Sequence, residues 1–171
     1  MNAGCSENWY ALQTHAGTEL CVSAQLRNEG ILVFLPMQPV RGKRGKAPTA
    51  KQRPLFPGYL FCRMSLQSGP RLYKISGVMR IVGTGKQATP IDDTEIDWIR
   101  RLIASPYPLE PMMSAKTGDI VRVTAGPFAG MSGSLLGAGE KKKFAVSLSL
   151  LNRSVAVTLP AGWITVSTCD S

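Results

Sequence analysis

"RPLFPGYLFCRM", residues Arg53–Met64, places a Pro-Gly turn between two blocks of large apolar residues. Proline presets φ near −65° and glycine accepts a positive φ, so this pair predicts a tight turn. In the strand that should follow, Tyr59 and Phe61 share one face and Leu60 and Cys62 share the other. Both faces are partly apolar, so one can pack against the protein's own helices while the other forms core or meets a partner.

Two further patterns precede this turn. "WYALQT" (Trp9–Thr14) predicts a strand, and "TELCVSAQLRNEG" predicts a helix that Thr18 caps and Gly30 ends. "ILVFLP" then predicts a buried strand.

The patterns after the turn complete the first segment. "VMRIVG" predicts another strand, and "DDTEIDWIRRLI" predicts a helix with Asp92 and Glu95 in capping-box spacing. Its buried stripe should be Ile96, Ile99 and Ile103. This element order predicts an α+β fold in which helices pack on one antiparallel sheet.

A Pro-rich stretch divides the chain into two segments with different sequence patterns. "SPYPLEPMMSAKTG" contains Pro106, Pro108 and Pro111, which we expect to prevent helix formation and ladder pairing, and this places a linker at residues 105–115. Beyond it come four short runs in which residue character alternates, divided by Gly-rich or polar turns: "DIVRVT", "GSLLGA", "FAVSLSLL" and "SVAVTL". This pattern is typical of a small five-stranded β-barrel. The expected domains are residues 8–104 and 116–170.

Composition indicates a globular protein with a polyanionic partner. The 171 residues are 44% hydrophobic, and 20 basic residues against 11 acidic ones give a net charge of +9. Cys5, Cys21, Cys62 and Cys169 form no CxxC pair and His15 is the only histidine, so we expect free thiols, no metal and no cofactor. Without a targeting or membrane-spanning pattern, we expect a soluble, monomeric, cytoplasmic protein.

A basic run lies before the central turn. "VRGKRGKAPTAKQRP" contains six basic residues and no acidic residue, and its first four are Arg41, Lys43, Arg44 and Lys46. Such a loop either contacts nucleic-acid phosphates or remains solvated without a partner.

Three motifs in order carry a family resemblance: "WYAL", "PLFPGYLF" and "GDIVRVTAGPFAGMSG". With them the chain resembles the NusG family of transcription elongation and antitermination factors, and "VRGKR" looks more like its specialised RfaH-type paralogues. The resemblance implies an N-terminal domain that binds the clamp of RNA polymerase and a C-terminal KOW domain of SH3-like barrel form.

The resemblance also implies roles for residues of the first domain. Phe56, Tyr59 and Phe61 would dock on the polymerase, although an aromatic core strand gives the same pattern. His15 and Arg27 would approach the non-template DNA strand, although a lone surface histidine such as His15 is more often incidental. Nascent RNA is the other nucleic acid that the chain would contact.

In the tail, Phe128, Leu150 and Leu151 correspond to positions where family members present apolar residues to a ribosomal protein or to Rho. Relatives commonly have Phe where this chain has Leu151, and core packing is the alternative for Leu150. Lys141–Lys143 should lie at a solvated hairpin turn, with RNA contact as the alternative.

The function implied is a non-enzymatic transcription factor that modulates elongation, pausing and termination or antitermination. An enzyme is disfavoured, because no carboxylate near His15 stands in a recognised spacing and no phosphate-binding glycine motif occurs. The alternative is a ribosome-associated, RNA-binding KOW protein, which explains the charge and the barrel but gives "PLFPGYLF" no role.

Overall fold

The computed structural model describes residues 6–40, 51–84, 86–113, 119–136 and 141–166. The chain divides into two compact units, Met1–Asp93 and Thr94–Ser171. No helix in the described ranges is long and apolar enough to cross a membrane. The mixture of antiparallel sheets with a few helices confirms the predicted α+β class.

The first unit is built mainly of short strands. In chain order its elements are β1 (Asn8–Thr14), α1 (Glu19–Asn28), β2 (Leu32–Phe34), β3 (Met37–Pro39), β4 (Gln52–Pro54), β5 (Tyr59–Met64), α2 (Gly69–Leu72), β6 (Val78–Ile81), β7 (Gly83–Thr84) and β8 (Gln87–Ala88). The main sheet has the order β2-β5-β1-β6 and is antiparallel throughout.

One face of this sheet carries the helices. Its core combines alternate residues of the strands with the apolar side of α1 and α2, namely Tyr10, Leu12, Val22, Leu26, Val33, Leu60, Cys62, Met64, Leu72 and Ile75. The predicted alternation along β5 is therefore confirmed, since Leu60 and Cys62 point to this core together. Strand β2 is less buried than its sequence predicts, because Leu32 is exposed.

Helix α1 begins and ends near the predicted residues, but only its C-terminus is capped as expected. The Thr18 hydroxyl donates to the carbonyl of His15 and makes no capping bond to the helix. Gly30, with φ of 76°, donates to Arg27, and the next amide, Ile31, donates to Leu26. These two bonds form a Schellman motif, in which glycine adopts the left-handed conformation without a Cβ clash.

The second unit contains a helix and a six-stranded antiparallel sheet. Its elements are α3 (Asp93–Ala104, which begins at the boundary), β9 (Leu109–Met113), β10 (Ile120–Val123), β11 (Ser132–Leu136), β12 (Lys141–Leu148), β13 (Arg153–Pro160) and β14 (Ile164–Val166). The sheet order is β14-β10-β11-β12-β13-β9. Strands β10 to β13 correspond to the four runs that the sequence predicts for the KOW-like part, and β14 is a strand that no quoted run predicted.

Two details of this unit correct the sequence-based expectations. Leu102, rather than Ile103, joins Ile96 and Ile99 as a buried residue of α3. The prolines of the expected linker do not prevent ladder pairing, because β9 pairs with β13 and Pro111 lies opposite Val155. Strand β9 lies at the sheet edge, where one side of the backbone needs no partner, so proline is tolerated. The domain boundaries themselves stay a prediction.

Two glycines beside β10 and β11 provide a matched test of packing in this unit. Gly126 and Gly130 both have positive φ, 76° and 88°. A Cβ on Gly126 would lie 2.2 Å from a ring carbon of Trp163, whereas a Cβ on Gly130 would meet nothing within 4 Å. Backbone strain is therefore common to both positions, and steric conflict is confined to Gly126.

We predict that Gly126→Ala lowers the stability of this unit more than Gly130→Ala. Each should lose about 1–2 kcal/mol to left-handed strain, and Gly126→Ala should lose a further ~1–3 kcal/mol to overpacking against the indole. Urea unfolding followed by the amide resonances of residues 120–166 measures the difference. Equal losses would show that Trp163 moves aside without cost.

The two cysteines in the described ranges differ in environment, since Cys21 is exposed and Cys62 is buried, and both are free thiols. Burial raises the pKa of the Cys62 thiol from 9.0 to about 12. The folded state therefore favours the neutral thiol. The stability of the fold is unaffected by this group below pH 9 and falls as pH rises toward 12, because the unfolded chain loses the thiol proton first. Within the described ranges, no group of three or more His, Cys, Asp and Glu side chains could hold a metal ion.

We predict that iodoacetamide at pH 8 alkylates Cys21 in the folded protein and leaves Cys62 unmodified, because the thiolate is the reactive form. In denaturant both should react. Peptide mass mapping separates these two sites from Cys5 and Cys169. Equal alkylation rates at Cys21 and Cys62 in the native protein would contradict the burial of Cys62.

Candidate functional site

The centre of the quoted stretch is a β-turn, Phe56–Tyr59, called the FPGY turn below. The Tyr59 N–H donates to the Phe56 carbonyl over 3.0 Å, and Gly58 has a φ of 80°. A proline at the second position and a glycine with positive φ at the third are the features of a type II turn. Pro57 is exposed at the tip, and the turn leads directly into β5.

Two bonds to Gly58 attach this turn to the rest of the unit. Its N–H donates to the Glu19 carboxylate, Oε1, over 2.7 Å, and its carbonyl accepts the Thr14 N–H over 2.9 Å. Glu19 is the first residue of α1 and only 4% exposed. A carboxylate at a helix N-terminus is favoured by the helix dipole. The FPGY turn is thus fixed to both α1 and β1.

The sheet face opposite the helices carries an aromatic cluster, which we call the aromatic face. Phe34 lies at its centre, with ring centroids 6.5 Å from Trp9 and 6.0 Å from Phe61, and Phe56 lies 6.1 Å from Phe61. Phe56 is 2% exposed and Phe61 is 0% exposed. Their burial favours the core interpretation for these two side chains in this structure.

Tyr59 differs from the two phenylalanines because it is half-buried. It lies on the same face as Phe61 and directly opposite Gln13, which in turn lies opposite Arg80. Arg80 donates from Nε to Gln13 Oε1 over 2.7 Å, which orients the exposed guanidinium. Tyr59, Gln13 and Arg80 therefore form a row across three neighbouring strands, with an aromatic ring at one end and a positive charge at the other.

The proposed nucleic-acid-binding residues do not form one cluster. His15 is exposed and lies beside the FPGY turn, because Thr14 binds Gly58 and the His15 N–H donates to Gly77 over 3.0 Å. Arg27 is exposed in the last turn of α1, and at 1.5 Å per residue it lies about 12 Å along the helix from its start. Arg41, Lys43, Arg44 and Lys46 lie outside the described residues.

The residues proposed to bind a partner of the tail are mostly buried. Phe128 is buried in a 3₁₀ turn, Gly126–Phe128, and its ring centroid lies 5.7 Å from that of Tyr107. Leu151 is buried too, whereas Leu150 is half-buried in the turn between β12 and β13. Their burial favours core packing for Phe128 and Leu151.

The chain segment before β9 helps to hold Phe128 in place. Tyr107 also contacts Trp163, with centroids 6.1 Å apart. The Arg101 guanidinium donates to the carbonyls of Pro127, at 2.6 Å, and Ala129, at 2.9 Å. These contacts fix the backbone on both sides of Phe128.

Sequence reasoning missed three residues of the site, namely Gln13, Arg80 and Glu19. Gln13 and Arg80 meet only through strand register, which a single sequence does not specify. Glu19 and Gly58 are 39 residues apart, and the sequence carried no signal for their contact beyond an acidic residue in the first turn of a helix.

Comparison with known proteins agrees with these features. The family described as "Transcription termination factor nusG" matches residues 7–100, which is more than half of the chain. The transcription termination/antitermination protein NusG of Vibrio cholerae is 29% identical over 178 residues, covering 96% of this chain and 98% of that protein. Its counterpart in Escherichia coli is 29% identical over 174 residues, covering 93% and 96%.

A solved structure supports the same assignment at the level of the fold. The structure described as "Domain interaction in Thermotoga maritima NusG" is 26% identical, with a TM-score of 0.58, and the match covers 96% of this chain and all of that one. The family match, the relatives aligned over nearly their whole length and the shared fold agree, and this chain belongs to the NusG family of transcription termination and antitermination proteins.

Proposed function

We propose that this chain binds the clamp of RNA polymerase through the FPGY turn and thereby modulates elongation, pausing and termination or antitermination. The observation that supports this role is the fixed turn that holds Tyr59 half-buried at the end of a polar row. Catalysis stays with the polymerase, and the chain acts by binding.

The geometry suits an aromatic anchor. A tyrosine offers a large apolar ring with a polar hydroxyl and few rotatable bonds, so little conformational entropy is lost on binding. The two backbone bonds at Gly58 order the turn before any partner arrives. Gln13 and Arg80 supply a polar border to the ring, as is typical around an interface hot spot.

The second unit is proposed to recruit a further partner, either a ribosomal protein or Rho. Leu150 is the one of the three predicted residues that keeps substantial accessible surface. It lies in the turn between β12 and β13, where Asn152 adopts a φ of 50°. Leu151, the next residue of the same turn, is buried and would support Leu150 from the core, and Phe128 is buried in a different turn.

The proposal is tested by the binding of the full chain to purified core RNA polymerase and, in parallel, to ribosomes. We expect saturable binding to the polymerase. Binding to ribosomes or ribosomal RNA with no binding to the polymerase would overturn the proposal in favour of the ribosome-associated alternative. An effect on pausing, in transcription with and without Rho, then establishes the direction of regulation.

We predict that Tyr59→Ala weakens binding to core polymerase with little change in thermal stability. Truncating an aromatic hot spot costs about 2 kcal/mol or more, which is roughly 30-fold in affinity. Phe61→Ala should instead destabilise the first unit by about 3–5 kcal/mol, since that ring is fully buried. Tyr73→Ala is the matched control, because Tyr73 is 56% exposed in the same unit. If Tyr59→Ala and Tyr73→Ala bind like the wild type, Tyr59 is not an anchor.

We predict that the basic residues Arg41, Lys43, Arg44 and Lys46 make binding to an elongation complex salt-dependent through contacts with single-stranded non-template DNA. Replacing all four by Gln should lower the log–log salt slope by roughly three, at about 0.7 per phosphate contact. A triple Lys→Gln variant at residues 141–143 removes three positive charges elsewhere in the chain, and it should keep the wild-type slope if the effect is specific to the loop. Identical slopes for all three proteins would return the loop to the solvated interpretation.

A further inference from the structure

Glu19 combines charge with burial in a way that is unusual within this chain. Among the described residues it is the one charged side chain that is buried, at 4% exposure, and it binds the backbone N–H of a residue 39 positions away. Removing a carboxylate from water costs free energy that only strong hydrogen bonding offsets. The contact at 2.7 Å and the N-terminal end of α1 provide that stabilisation.

The bond acts on one particular peptide group. Type I and type II turns share the bond from the fourth residue to the first and differ by a flip of the central peptide. In the FPGY turn that central peptide joins Pro57 to Gly58, and its N–H is the group held by Glu19. The carboxylate therefore selects the type II form, in which Gly58 has its observed φ of 80°.

Tyr59 directly follows the glycine that Glu19 holds. Tyr59 is the fourth residue of the turn and the first residue of β5, and it donates to the Phe56 carbonyl. A flipped central peptide would turn the Gly58 N–H away from Glu19 and break the bond that holds the residue before Tyr59 to the start of α1. The position of the half-buried ring thus depends on the peptide that Glu19 holds.

We propose that Glu19 is a positioning residue for polymerase binding, which locks the FPGY turn so that Tyr59 is presented in one fixed orientation. This inference rests on the proposed function. Glu19 itself is buried and does not touch the partner, and it acts through the Gly58 amide and the ring that follows.

Four variants of the full chain test the inference by affinity for core polymerase and by thermal unfolding. Glu19→Ala removes the acceptor and should weaken binding about tenfold by loss of preorganisation. Glu19→Gln keeps an acceptor oxygen at the same place and should stay within roughly threefold of the wild type, since it loses only the charge assistance. Leu26→Val perturbs the buried side of the same helix away from the turn, and it should lower the melting temperature while leaving affinity unchanged. Glu19→Ala combined with Tyr59→Ala should bind no more weakly than Tyr59→Ala alone, because both act through one ring.

Amide hydrogen exchange at Gly58 measures how well the turn is ordered in the absence of a partner. Slow exchange in the wild type and Glu19→Gln, with faster exchange in Glu19→Ala, is expected if the carboxylate protects this N–H. If Tyr59→Ala weakens binding while Glu19→Ala binds like the wild type, the positioning role is overturned and the proposed function stands. Independent, multiplicative losses from the two substitutions would overturn it as well. If the wild type does not bind polymerase, both the proposed function and the positioning role fall.

Discussion

The buried hydrogen bond between the Gly58 N–H and the Glu19 carboxylate joins two parts of the first unit that are 39 residues apart in sequence. It connects the start of α1 to the turn before β5, while the Gly58 carbonyl accepts the amide at the end of β1. Because Gly58 adopts a φ of 80°, a residue with a Cβ at this position would strain the turn. The residue before β5 is therefore held by both α1 and β1, and Tyr59 is the first residue of the strand that follows.

The two faces of the sheet that contains β5 differ in what they pack against. Leu60 and Cys62 pack beneath the helices, where burial raises the pKa of the Cys62 thiol to about 12. The other face stacks Phe34 and Phe61 and leaves Tyr59 partly accessible beside the Gln13–Arg80 pair. This division fits the proposed function, in which the core stabilises the fold while the FPGY turn presents Tyr59 to the polymerase.

Much of this architecture follows from local patterns, which is why the sequence predicted it. Alternating side-chain patterns predicted β5 and β10 to β13, and a short apolar run predicted β1. Gly30 correctly predicted the end of α1. The errors have physical causes. Pro111 was expected to prevent pairing, yet an edge strand accepts proline, and edge position depends on tertiary structure. A pattern of apolar residues also cannot distinguish a docking aromatic from a core one, so the burial of Phe56 and Phe61 became visible only in three dimensions.

The central claim is that the FPGY turn meets RNA polymerase, and site-specific photo-crosslinking tests it most directly. A benzophenone side chain in place of Tyr59, in the complex of the chain with core polymerase, should crosslink to a polymerase subunit. The same group in place of Leu20, which is 63% exposed on the helix side of the sheet, should not. Complex formation without a crosslink from position 59, or equal crosslinking from both positions, would contradict the account.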